Sequence, residues 1–228
     1  MKTRFIIVVL LTIAVFLKLQ AQQLEMMFSA GMASYTMRDL KKLNSEIQTG
    51  IPFETKLTSN FPMTFQIGGH FAVRLARSYK LGVLYSYNTT GSRIASSDYS
   101  GSYRFDNVLS GHTIGILNGF LLYDHKAFHV DIQANFGLVA SILKMNEDLQ
   151  LADTAISASM HYSAIGFFFE PLIEATYQWK YLNSGIFFGY FFNPGGKITT
   201  KTGEKSNSTI SWSGFRFGIE IGICKLKP

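Results

Sequence analysis

Charge is scarce in this 228-residue chain: Asp, Glu, Lys and Arg together make up 16% of it. A disordered tail or a coiled coil carries far more, so both are excluded. Cysteine is nearly missing. Cys224 stands alone and cannot close a bridge within the chain, which rules out a disulfide-stapled mini-domain. Long apolar runs are missing as well. After the first twenty residues none approaches the ~20 that a spanning helix needs, so a polytopic helical membrane protein is excluded. Nor is there a Cys-x-x-Cys, a His-Glu-x-x-His or a Gly-rich phosphate loop. What the chain does have is 20 Gly, 20 Phe, 11 Tyr, 47% hydrophobic residues and a mean hydropathy of +0.13. A chain this apolar without an apolar run hides its hydrophobicity by alternation, in a β-rich soluble domain or a barrel.

Residues 1–21 read as a secretory signal peptide. Lys2 and Arg4 precede the apolar stretch Phe5–Leu17, and Ala21 supplies the small residue at the cut. Residues 22–228 then form the mature barrel domain. Removing the signal takes Lys2, Arg4 and Lys18, so the net charge of +6 drops to +3. The basic pI is therefore partly a property of the signal and is no footprint of nucleic acid.

Period-two alternation recurs along the mature chain. Phe128, Val130, Ile132, Ala134, Phe136 and Leu138 interleave with His129, Asp131, Gln133, Asn135 and Gly137. Phe61–Leu75 and Gly214–Ile223 repeat the theme, and weaker versions bring the expected strand count to eight. Short turns are expected at Arg77–Lys80, Tyr123–Lys126 and Trp179–Asn183. Long loops are expected over Arg38–Asn60, Thr90–Asp106, Ile142–Met160 and Asn193–Thr209. Leu40, Leu43 and Ile47 put a helical turn in the first loop. Short turns at one rim and long loops at the other is the layout of an all-β, eight-stranded antiparallel transmembrane β-barrel.

Lysine placement separates this from a soluble lipocalin-like binder. Every Lys of the mature chain falls in an expected loop, turn or tail, with Lys80, Lys126 and Lys180 each in a short turn. A soluble surface would carry charge along its strands. Aromatics expected at the rims agree: Tyr79, Tyr123, Trp179 and Tyr181 on the short-turn side, Tyr35, Tyr87, Tyr162 and Trp212 on the other. Strands that face lipid must close, so the last pairs with the first.

The polar face then becomes a narrow lumen. Its charged candidates are Glu25, His70, Arg74, His129, Asp131, Glu170, Glu174, Arg216 and Glu220, an inventory suited to an internal ion-pair network. Glu170 and Glu174 stand about 13 Å apart along one strand at ~3.3 Å per residue, beyond the reach of a glycosidase pair. Gly111, Gly115 and Gly119 recur on one strand face and make room in a crowded interior. Among the long loops, Arg93, Asp98, Tyr99, Tyr103, Arg104 and Asp106 form a candidate contact surface, or else pair with one another. Ser110 and His112 lie two apart near Asp106, Ser97 and Asp98, the residue types of a lipid acyl hydrolase or transferase. No catalytic or metal residue is assigned and no cofactor is expected.

On these features residues 22–228 resemble the small outer-membrane β-barrel proteins of Gram-negative bacteria, the OmpA-like and OmpX-like group. Gly214–Phe215–Arg216–Phe217–Gly218–Ile219 resembles a barrel-assembly signal strand, although the chain continues to Lys225–Leu226–Lys227–Pro228 instead of stopping at an aromatic. The resemblance implies residence in the outer membrane and contact with its lipid and lipopolysaccharide. It also implies handling by the barrel-assembly machinery and an extracellular protein or glycan partner, with no nucleic acid. The function expected is structural or surface-interaction with a plugged lumen. A narrow solute pore, a lipid-modifying barrel enzyme and a soluble binder are the alternatives.

Overall fold

A computed structural model describes residues 23–76, 78–99, 101–151, 154–200 and 203–226. The expected signal peptide lies outside the described residues. Eleven strands and one helix follow in the order β1 (Gln23–Ala33), α1 (Arg38–Gly50), β2 (Lys56–Asn60), β3 (Thr64–Ala76), β4 (Tyr79–Asp98), β5 (Gly101–His125), β6 (Phe128–Leu151), β7 (Thr154–Trp179), β8 (Leu182–Phe191), β9 (Gly196–Thr200), β10 (Lys205–Ile210) and β11 (Gly214–Leu226). All pairings are antiparallel. β1 pairs with β3, and β3, β4, β5, β6, β7, β8 and β11 pair in succession. β11 then pairs back onto β1, from Gln23↔Leu226 to Ala33↔Arg216. The succession of hydrogen-bonded neighbours thus returns to its start. β2 adds to the upper edge of β4, and β9 with β10 add beside the upper part of β7.

Short connections lie at one rim. Lys126 and Lys180 open two-residue turns with φ of 56° each, the left-handed conformation that tight hairpins require. The other end is uneven. β5, β6 and β7 run for 25, 24 and 26 residues, whereas β8 has 10 and β3 has 13. A four-stranded sheet of β4–β7 therefore stands well above the rest. This corrects two expectations: Thr90–Asp106 and Ile142–Met160 are largely continuations of strands, not loops.

The reason is a reversal of face. In the lower part of the ring the apolar residues point outward: Phe65, Ile132, Phe136 and Phe217 are all exposed, and Ile165, Phe167 and Ile219 are exposed by 65% or more. An exterior of this kind belongs in hydrocarbon. Higher up the same strands the two sets change places. Ile94, Tyr103, Phe105, Leu109, Leu143 and Met145 are buried inside. Their partners on the outside are Arg93, Arg104, Lys144 and Asp148. On β6 the exchange spans Leu138 to Lys144: Val139 and Leu143 already face in, while Leu138 and Ile142 still face out. The interior of the upper half is thus an ordinary apolar core inside a polar wall.

α1 closes the top of that core. Leu40 is fully buried, and Leu43 and Ile47 pack beside it, so the helical spacing seen in the sequence is borne out. The helix begins after Met37, which sits at φ 44° and supplies no side-chain cap. Two contacts fix the helix instead. Asn107 Nδ2 donates to Asn44 Oδ1 at 2.8 Å, and Asp39 Oδ2 accepts from both Thr209 N and Thr209 Oγ1 at 2.8 Å. These two bonds hold the Asp39 carboxyl below the usual carboxylate range. Because that value is lowered in the folded state, the docking is complete above the ordinary aspartate pKa and is lost as pH falls through the lowered one. Asp39→Ala is expected to speed exchange of the α1 amides about ten-fold while leaving β6 amides unchanged, read by hydrogen exchange corrected for intrinsic rate.

Candidate functional site

The site is the interior, and it has two storeys. The lower one is ionic. Glu25 from β1, His70 and Arg74 from β3, Asp131 from β6, Glu170 and Glu174 from β7, and Arg216 and Glu220 from β11 all point inward. Arg74 Nη2 donates to Asp131 Oδ2 at 3.0 Å and Nη1 to Oδ1 at 3.3 Å. His70 places Nε2 3.3 Å from Glu25 and Nδ1 4.0 Å from Glu220. Arg216 lies 3.5 Å from Glu170 and stacks its guanidinium 3.5 Å above the Phe191 ring. His129 stands apart from this group. It pairs with Asp124 at 3.0 Å near the short-turn rim.

The centre of the network was not among the expected residues. Lys80 belongs to β4, not to a turn, and its side chain is 1% exposed. Its Nζ lies 2.8 Å from Glu174, 3.4 Å from Glu25 and 3.6 Å from Asp131. Gln133 also donates to Glu174. The expected placement of every lysine outside the strands therefore fails: Lys56, Lys80, Lys144, Lys197, Lys205 and Lys225 all lie on strands. Lys80 is the one drawn into the lumen, for a physical reason. Five inward acids faced by Arg74, Arg216 and His70 leave an uncompensated buried charge, which demands a further cation. That surplus was the signal in the sequence for one more inward cation, although it named no position. Glu25, His70 and Glu174 also bring three ligand-type atoms within 4.8 Å of one another. The Lys80 ammonium stands on two of those residues, where a metal cation would otherwise sit.

Glycines shape both storeys as the sequence implied. A Cβ on Gly119 would stand 3.1 Å from Lys80 Cε, one on Gly115 2.7 Å from the Phe168 ring, and one on Gly111 2.7 Å from the Trp212 ring. Each glycine faces one large neighbour. Phe168 and Phe191 stack with centroids 4.7 Å apart. Trp212 donates from Nε1 to Ser141 Oγ at 2.9 Å and meets Tyr35 edge-on at 5.0 Å. Tyr35 and Trp212 are thus buried inside, and Tyr162 also faces inward, so none of the three belongs to an outer girdle. Tyr87 remains on the wall, as do Tyr123, Trp179 and Tyr181 near the short turns. Phe187 and Phe191, which break the alternation of β8, are buried because they fill this interior.

Two spaces adjoin the ionic storey. A vestibule of about 470 Å³ opens at the short-turn rim beside Arg74, His129, Lys126 and Lys180. Deeper, a pocket of about 60 Å³ lies among Gln66, Ser86, Asn135, Arg216 and Glu220. Each of these five has a buried polar atom with no protein partner among the described residues. The pocket has the volume of about two water molecules.

On the raised sheet the expected contact residues mostly bind one another. Arg93 donates to Asp106 at 2.6 and 2.9 Å, and Arg104 reaches Asp148 at 2.7 Å and Asp106 at 3.6 Å. Asp98 accepts from Gly101 N across the turn at 3.2 Å, and Tyr99 is fully exposed at the tip. Tyr103 is not a surface residue. It points into the apolar core and donates to Glu147 at 3.0 Å, and burial together with that carboxylate pushes its phenol up to about 12. Ser110 and His112 face outward and meet tyrosines, not each other. Tyr87 Oη donates to Ser110 Oγ at 3.3 Å, and Tyr85 Oη lies 2.9 Å from His112 Nδ1.

Neither a protein-family model nor a curated protein matches the sequence. Among solved structures, the chain is similar to the attachment invasion locus protein Ail of Yersinia pestis, with TM-score 0.40 and 8% identity over 90% of this chain and 99% of that one. It is similar also to the outer membrane protein OprG of Pseudomonas aeruginosa, with TM-score 0.48 and 10% identity over 91% and 98%. A third likeness is to the outer membrane protease OmpT of Escherichia coli, with TM-score 0.30 and 7% identity over 90% and 96%.

Removing the central ammonium leaves Glu25, Asp131 and Glu174 facing one another. Lys80→Met is expected to destabilise the refolded protein by about 3–5 kcal/mol in urea unfolding from lipid vesicles. Adding Glu174→Gln should return part of that loss. A single variant as stable as the parent would show that the ammonium does not hold the lumen together.

Proposed function

We propose that the chain is an integral outer-membrane barrel of eight transmembrane strands, with its short turns toward the periplasm and its raised sheet outside the cell. Its role is structural or surface-interaction, with a filled bore. Support for membrane residence comes from the apolar exterior of β1, β3–β8 and β11 and from their closed pairing, since no open sheet edge can face hydrocarbon. No described helix is long and apolar enough to cross a membrane. The outward row Phe215, Phe217, Ile219, Ile221 and Ile223 on β11 suits recognition by the barrel-assembly machinery. The exposed Tyr99 and the polar wall around Arg104 are where an extracellular protein or glycan would be met.

The observation that carries the plugged reading is the aromatic layer across the bore. Phe168, Phe191 and Trp212 are each buried to within 3%, and α1 lies above them. An ion entering from the ionic storey would have to leave its hydration shell among apolar side chains. Planar-bilayer recording is therefore expected to find no steady openings for the unaltered protein. Trp212→Ala combined with Phe191→Ala is expected to admit a small-ion current, with heat-modifiable gel migration showing that the variant still folds. Steady openings in the unaltered protein would overturn the plug.

A lipid-modifying activity gains no support from the outer wall. Ser110 and His112 are each bound to a tyrosine, and Asp106 is held by Arg93. Nucleophile, base and orienter are not within reach of one another. Ser110→Ala is expected to leave the lipid A mass profile of producing cells unchanged. A peak that depends on Ser110 would establish the enzyme instead.

A further inference from the structure

Cations on the outer wall are not evenly spread. Three successive outward rows cross the raised side where its exterior changes from apolar to polar. The uppermost runs through Val108 on β5, Lys144 on β6 and His161 on β7. The middle one runs through Ser110, Ile142, Ser163, Thr199 on β9 and Lys205 on β10. The lowest runs through His112, Ala140 and Ile165, with Lys197 on β9 paired to Thr209 on β10 at the same end of the sheet. Directly below come Ile114, Leu138 and Phe167, all exposed and apolar. Cross-strand neighbours in such rows lie about 5 Å apart, so one headgroup can touch several of them.

The lysines are free. Lys144, Lys197 and Lys205 are exposed, and none has a side-chain ion pair or hydrogen bond among the described residues. No carboxylate stands in the three rows. Asp106, one row higher, is already held by Arg93, and Glu204 lies on the turn between β9 and β10. On the far wall, the upper ends of β1, β3, β8 and β11 present Met32, Phe65, Tyr190 and Phe215 with no cation. Nearer β4, Arg93 and Arg104 are both committed to aspartates, and Lys56 on β2, though exposed, stands level with Ala95 and Arg104, two outward rows above Lys144. At the upper border of the apolar band, the unpaired cations among the described residues fall on this wall, at the depth where lipid phosphates lie.

We propose that this β5–β6–β7–β9–β10 wall binds the phosphate group of an outer-leaflet lipid through Lys144, Lys197 and Lys205, with His161, Ser163 and Thr199 completing the donor set. The proposal rests on the barrel standing in the outer membrane with its raised sheet outside. The acyl chains of the same lipid lie along Ile114, Leu138, Ile165 and Phe167. The ligand is a phosphate with free negative charge beside an apolar tail, whether on a glycolipid or on a glycerophospholipid.

The full mature chain would be refolded and examined by native mass spectrometry with diphosphorylated lipid A, with lipid A stripped of phosphate, and with phosphatidylglycerol. Retention of diphosphorylated lipid A over the stripped form is expected, with each Lys→Gln change weakening it about five-fold and Lys144→Gln, Lys197→Gln and Lys205→Gln together on the order of one hundred-fold. Equal retention of phosphatidylglycerol would support the phosphate site and make its source general; weaker retention would assign it to the glycolipid. Equal retention of both lipid A forms, or undiminished binding by the triple variant, would overturn the site. Heat-modifiable migration of the same samples separates the outcomes: a sample that binds no lipid but still shifts has lost only this proposal, whereas one that never shifts has lost the membrane barrel as well.

Discussion

What lies outside a barrel wall decides what can lie inside it. Side chains on a strand alternate between two faces, so an exterior solvated by hydrocarbon sends every polar residue inward. Where the same wall stands in water, the polar residues are drawn out and the apolar ones inward. This chain does both along single strands. On β6 the outward series Ile132, Phe136, Leu138 and Ile142 gives way to Lys144 and Asp148, while the inward series Asp131, Gln133 and Asn135 gives way to Leu143 and Met145. The two storeys of the interior, ionic below and aromatic above, follow from that single exchange of surroundings.

The lower storey shows how an interior can be filled with charge and still be held together. Buried ions are tolerated when each finds partners, and Lys80 serves three carboxylates from three strands at once. It thereby ties β1, β6 and β7 to β4 across the bore, which hydrogen bonds between adjacent strands cannot do. Room for it comes from Gly119 on the neighbouring strand, and the same exchange of a small residue for a large neighbour recurs at Gly115 with Phe168 and Gly111 with Trp212. Register is pinned as a result, because a slip of one residue would drive each large side chain into the backbone or out into the membrane.

Much of this was legible from residues alone. The alternation that turns Phe65, Ile132, Phe136 and Phe217 outward, the inward acids and arginines, the helix built on Leu40, Leu43 and Ile47, and the glycine spacing on β5 all follow from period and chemistry. The raised hairpins were not legible as strands, because a switch of face brings two apolar residues together in sequence. Ile142–Leu143 then looks like an end of alternation when it is only a change of phase. Tyr35, Tyr162 and Trp212 were misplaced for the same reason, since aromatic residues near a rim serve equally as girdle or as core. Lys80 was hidden by its position beside a turn; the surplus of inward carboxylates called for another cation without naming it. Contacts such as Tyr85 with His112 depend on cross-strand register, which no single strand carries.

Pairing of β1 with β11 joins positions as far apart as Gln23 and Leu226. The hairpins β4–β5, β5–β6 and β6–β7 bring together residues close in sequence, so their loops cost little entropy to close. The seam is the opposite case. It cannot form until the chain has been delivered as far as β11, and until then two strand edges stand open. Assembly thus has an order written into its connectivity: the tall central hairpins zip first, and sealing comes last, in one step, as the final strand arrives.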